Sequence, residues 1–212
     1  MSLESCVSVP RGRRRTGEIS GREALLKVAL QALSRHGYEG VSLRSLASEA
    51  SVDMALVARI FGSKGELWRA VIGQLAARQV DHLQAIRVIA ETSADAPREA
   101  MQRFIKLFAQ ISFEMPEFPA FLLQEASCGG ARLDTIVQQL VAPFKAECQP
   151  IILAAAQADV IRVCDPALFF GMLVSAISVP MVSPNTFSGR TQLDDDLKDA
   201  IALQAIAMFV AA

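Results

Sequence analysis

The sequence predicts an all-α protein, a small helix-turn-helix head followed by a larger helical body. Three observations carry this. Apolar residues recur at helical spacing through nearly every segment after residue 20, and no convincing strand pattern is present. Residues 41–68, VSLRSLASEASVDMALVARIFGSKGELW, hold two short helical patterns separated by three residues, then a third helix start. Hydrophobic residues make up 52% of the 212 and charged residues 20%, which is enough for a sizeable buried core.

Residues 1–19 are polar and basic and read as a mobile arm. The first helix is expected from about Ser20 to His36, with Leu26, Ala29, Leu30 and Leu33 on one face and Gly37 as its left-handed stop. Ser42 caps the second helix, which turns Leu43, Leu46 and Ala50 inward. Asp53 caps the third. There Val57 and Phe61 face the core, and Met54, Ala55, Ala58 and Arg59 face outward. Ser63 and Glu66 fit a capping box that opens a long helix reaching about Ala90, with Leu67, Val71, Leu75, Leu83 and Ile86 at helical spacing. After a polar break at 91–97, helices are expected over roughly 97–114, 117–127, 131–158, 165–182 and 193–211. Pro143 and Pro150 should kink or divide the third of these. The predicted organisation is an arm (1–19), a head (20–67) and a body (68–212) that share the connecting helix.

The formal net charge is −1, but it is unevenly spread. Residues 1–67 carry 10 Lys and Arg against 7 Asp and Glu, while the rest of the chain carries 11 against 15. Arg11, Arg13, Arg14 and Arg15 could reach a groove or phosphates, or simply solubilise the arm. No hydrophobic stretch follows them, so they do not open a secretory signal. The most apolar run, 167–182, is too short to cross a bilayer and holds Pro180. It reads as a helix at a core or subunit interface. Cys6, Cys128, Cys148 and Cys164 form no C-x-x-C pair, consistent with a reduced, cytoplasmic setting.

The string ALLKVALQALSRHGYEGVSLRSLASEASV followed by IFGSKGELW, within Arg22–Val71, resembles the TetR family of bacterial transcriptional regulators. The resemblance implies a homodimer with two recognition helices about one DNA turn apart on a palindromic operator. It also implies that 165–182 and 193–211 pair with their symmetry mates. Carried over by position, Ser42 and Arg44 would contact phosphate, Arg44 with reach toward a base. Lys64 would hold a phosphate at a helix N-terminus. Met54, Ala55, Leu56, Ala58 and Arg59 would face DNA. Two departures stand out. Ala58 occupies a position that is commonly aromatic in the family, and Ser51 stands where the turn commonly has glycine. Readout should then lean on Arg59, on apolar contact with thymine methyls and on DNA shape.

No nucleophile elbow, phosphate loop or metal-spaced cluster is present, so nothing supports an enzyme, a metal site or a cofactor. The Asp194–Asp196 run is best explained as complement to a helix dipole. A Phe-rich body suits a lipophilic or aromatic small molecule. The candidate lining is His82, Phe104, Phe108, Phe121, Gln124, Phe144, Cys148 and Phe170; core packing is the plainer role for any single Phe, and a satisfied core imidazole for His82. The expected function is therefore a homodimeric repressor released from its operator by a small apolar ligand. An all-α carrier or protein-interaction protein with a vestigial helix-turn-helix is the alternative.

Overall fold

A computed structural model describes residues 21–211. The arm, with Arg11, Arg13, Arg14, Arg15 and Cys6, lies outside the described residues. The described chain forms α1 (Gly21–His36), α2 (Leu43–Glu49), α3 (Met54–Phe61), α4 (Lys64–Glu91), α5 (Pro97–Glu114), α6 (Glu117–Cys128), α7 (Ala131–Ile136), a π-helical turn (Val137–Val141), α8 (Ala142–Gln157), α9 (Pro166–Val182), α10 (Pro184–Ser188) and α11 (Asp195–Phe209). No strand occurs among the described residues.

Local signals set the short elements of the head. Gly37 takes φ 66° and ends α1, with its amide on the Leu33 carbonyl at 3.0 Å. Ser42 and Ser45 form a capping box at α2, each side chain accepting from the other's backbone N–H. The Asp53 carboxylate accepts the Ala55 amide at 2.6 Å and starts α3. At α4, Ser63 Oγ accepts the Glu66 amide at 3.1 Å, but the expected reciprocal bond is not made. The Glu66 carboxylate instead pairs with Arg69 one turn on.

The third body segment departs from expectation. The helix is not divided at its prolines. The chain widens into the π turn just before Pro143, which places that ring in the first turn of α8, and α8 then continues through Pro150. Ala146 and Pro150 both face solvent, so the carbonyl left without an amide partner can be hydrated. The expected loop at 183–190 contains a helical turn, α10, closed by Gly189 at φ 69°.

The core is one continuous cluster. Leu26, Leu46, Val57 and Leu67 fill the head; Phe104, Phe121, Ile151 and Leu173 fill the body. Two helices tie the parts together. α4 runs from the head into the body to pack on α5 and α8, and α1 of the head lies along α6 of the body. Each fully buried Leu or Phe stabilises by roughly 1.5–3 kcal/mol, so the head is held to the body by packing as well as by the chain. α11 lies against α5 and α9 at the far side.

Candidate nucleic-acid interface and effector cavity

The sharp turn between α2 and α3 orients the face that α3 presents. Ser51 occupies it with φ 54°, the left-handed region in which a side chain is strained and glycine is not. With Val57 and Phe61 anchored in the core, Met54, Ala55, Ala58 and Arg59 are exposed and Leu56 is half-buried. Ile60 is exposed beside them at 37%, a residue that the helical pattern alone did not single out. Arg44 and Arg59 are exposed and make no hydrogen bond or ion pair with the described residues, so both guanidinium forks remain available.

Ser42 is exposed, with its hydroxyl in the α2 cap 2.9 Å from Ser45 Oγ. Lys64, at the first position of α4, lays its ammonium over the Tyr38 ring at 4.3 Å. Tyr38 was not among the sequence candidates. Only the fold brings the turn after α1 against the start of α4.

In the body, a cavity of about 100 Å³ lies between α4, α5, α6, the π turn, α8 and α9. Phe108, Phe144 and Phe170 line it, with Ile111, Phe118, Leu122 and Leu140. Phe108 and Phe144 meet edge to face at 5.5 Å, and Phe144 and Phe170 lie 6.3 Å apart. The polar groups on its wall are Gln79 and Ser178, whose hydroxyl donates to the Val174 carbonyl at 2.8 Å.

The other candidates sit elsewhere. Phe104 is fully buried behind Phe108 at 6.3 Å. Phe121 packs on Trp68 at 6.4 Å. Gln124 lies against the turn after α1, its Oε1 close to Gly37. Cys148 is fully buried, and burial pushes its thiol well above the ordinary range. His82 is half-buried, with Nε2 3.4 Å from a Glu114 carboxylate oxygen; its Nδ1 is buried without a hydrogen-bond partner among the described residues. No group of His, Cys, Asp and Glu among the described residues could hold a metal ion. No described helix is long and apolar enough to cross a membrane.

A three-helix head with an outward, cation-bearing third helix, set on an all-α body, has the architecture of a helix-turn-helix protein. Residues 25–71 match the model of the family described as bacterial regulatory proteins, tetR family. The chain is 33% identical over 88 residues to the nicotine-responsive transcriptional repressor HdnoR of Paenarthrobacter nicotinovorans, covering 38% of this chain and 45% of that protein. It is 27% identical over 122 residues to the transcriptional regulator RutR of Escherichia coli K12, covering 58% and 55%. The crystal structure of HlyIIR, a hemolysin II transcriptional regulator, superposes with a TM-score of 0.67 at 19% identity, covering 91% of this chain and 98% of that one. The matched region spans about half the length of these curated relatives, whereas the likeness in fold extends through the body. Over residues 25–71 the chain is thus similar to the TetR family of DNA-binding transcriptional regulators, and over its length it shares the fold of HlyIIR.

Proposed function

We propose that this chain is a cytoplasmic, homodimeric repressor that holds a palindromic operator until a small apolar molecule enters the body. The observation that carries the reading is the face of α3, where Met54, Ala55, Ala58 and Arg59 stand out together. Arg44 and Lys64 flank it as cations at the starts of α2 and α4. A buried α3 edge with a short, mostly apolar front that carries one cation suits insertion in a major groove, with Arg59 for guanine and Met54 and Ala55 for thymine methyls. Ser42, Arg44 and Lys64 would fix the register on phosphates, with Leu56 and Ala58 in close apposition to the duplex.

Dimer formation is supported by the outer face of α9 and α11. Leu168, Met172, Leu203 and Met208 are 56–64% exposed on two adjacent helices, a density of large apolar side chains that solvent does not favour. Pairing this face about a two-fold axis buries it and sets the separation of the two heads. The repressor role and the small-molecule trigger draw on the relative named for its nicotine response. The cavity supports a trigger of lipophilic or aromatic character. A void of 150 Å³ accepts benzene, so at about 100 Å³ a molecule of even one ring needs Phe108 or Phe144 to move. That need is the physical source of a response.

The test is selection of duplexes from a random pool, followed by titration of the recovered sequence at several salt concentrations. A palindromic site, bound with log K falling steeply against log salt, supports the reading. Failure to enrich any duplex at low salt overturns it in favour of a carrier or interaction protein.

A further inference from the structure

One buried carboxylate lies outside both the outward face of α3 and the cavity. Glu125, on α6, is 2% exposed. Such a charge is costly unless donors surround it, and here two do. Trp68 Nε1, on α4, donates to one oxygen at 3.1 Å. Arg132 Nε, on α7, donates to the other at 2.9 Å. Burial opposes the Arg132 charge, yet the Glu125 hydrogen bond and charge, together with Glu39 3.9 Å away and Tyr38, outweigh it and hold the guanidinium above its ordinary range. The same guanidinium lies over the Tyr38 ring at 4.1 Å, and Tyr38 carries the Lys64 ammonium at 4.3 Å. A chain of contacts therefore runs from the interior of the body to the cation at the N-terminus of α4. It passes through a tyrosine flanked by two cations.

The near end of this chain adjoins the cavity. Leu122 lines the cavity and precedes Glu125 by three residues on α6, so the two are neighbours on one helix. Phe118 is one turn further back on the same wall. The π turn that follows α7 gives Leu140 and Val141 to the opposite wall. An occupant that displaced α6 or the π turn would press on the helices that carry Glu125 and Arg132.

We propose that Glu125 is a positioning residue for DNA binding. Through Arg132 and Tyr38 it fixes the Lys64 ammonium where a phosphate is met, and so ties the seat of α6 to the start of α4. This rests on the DNA-binding reading above.

The experiment has one part without DNA and one with it. Backbone hydrogen exchange is measured for wild type, Glu125→Gln, Tyr38→Leu and Tyr38→Phe in the intact protein. Glu125→Gln keeps the acceptor for Trp68 but removes the buried charge at 2.9 Å from Arg132, leaving it only the longer, exposed pair with Glu39; Tyr38→Leu leaves Glu125 buried and paired. Faster exchange confined to residues 63–67 in the first two, with Tyr38→Phe like wild type, is expected. The same proteins, and Lys64→Ala, are then titrated against the duplex selected by wild type. Lys64→Ala should lower the slope of log K against log salt by roughly 0.9 per subunit. Glu125→Gln and Tyr38→Leu should shift it in the same direction and weaken binding by about three- to tenfold, the order of one phosphate contact. Each should add nothing in a Lys64→Ala background.

Exchange that stays at wild-type rates overturns the proposal. So does faster exchange with unchanged DNA titrations, or effects additive with Lys64→Ala; in these cases the DNA-binding reading stands, because wild type binds. If wild type selects no duplex, that reading fails first and the proposal falls with it.

Discussion

Arg59 and Lys64 carry the same charge sign in different settings, and the difference is measurable. Arg59 projects from the last turn of α3 with no partner among the described residues, a setting that suits the base-reading role proposed for it. Lys64 is half-buried at a helix start, its ammonium shared with Tyr38. Arg59→Ala should therefore cost about 1–3 kcal/mol at guanine positions and flatten preference there. Lys64→Ala should weaken all duplexes alike, and competition titrations with single-base variants separate the two. Cys148 gives a second residue-level outcome. Its thiol is fully buried and held in the neutral form, so alkylation of the folded protein at pH 8 should modify exposed Cys128 and leave Cys148 intact, as read by peptide mass. Asp165 caps α9 with two backbone amides, which lower its carboxyl below the ordinary range. A depressed carboxylate stabilises fully above its unfolded value and loses that contribution as pH falls through its folded one. Asp165→Ala should therefore lower the melting temperature at neutral pH, and the gap to wild type should close below roughly pH 4.

Among elements, the α2–α3 turn shows strain where the family commonly has glycine. Ser51 sits at φ 54°. Ser51→Gly should stabilise by about 0.5–1 kcal/mol, a rise of roughly 1–4 °C in Tm for a chain of this size. An unchanged or lower melting temperature would mean that serine's side chain offsets the strain locally. The expected glycine stop of α1 and the Ser42 and Asp53 caps were legible because each is a short-range bond between residues two to four apart. The Ser63 box was half legible. Its hydroxyl bond is local, but the Glu66 side chain had a competing partner in Arg69, which the box pattern does not weigh. The prolines of the third body segment misled for a related reason. A proline forbids one amide bond, and whether that breaks a helix depends on what else can satisfy the carbonyl. The π turn and solvent exposure answer that here, and neither is written at the proline.

At the scale of the molecule, in the proposed dimer the exposed apolar face of α9 and α11 and the cavity between α4 and α9 would both bear on one property, the spacing of two heads. Leu203→Glu combined with Met172→Glu should yield a folded monomer by sedimentation and lose more than 100-fold in operator affinity, since one head alone forfeits the second half-site. Retained tight binding by a monomer would remove the two-fold arrangement. The sequence by itself determined the all-helical class, the helix-turn-helix and its caps, and which face of α3 points outward. Those follow from periodicity and from bonds a few residues long, which the order of amino acids states directly. Only the tertiary structure decided which Phe residues surround a void and which pack solid, that Gln124 and Phe121 face the head–body junction, and that Tyr38, Trp68, Glu125 and Arg132 meet. Those four come from four separate segments, 57 positions apart for Trp68 and Glu125. Nothing local in any segment records the others; the packing of α1 and α4 against α6 and α7 brings them within reach.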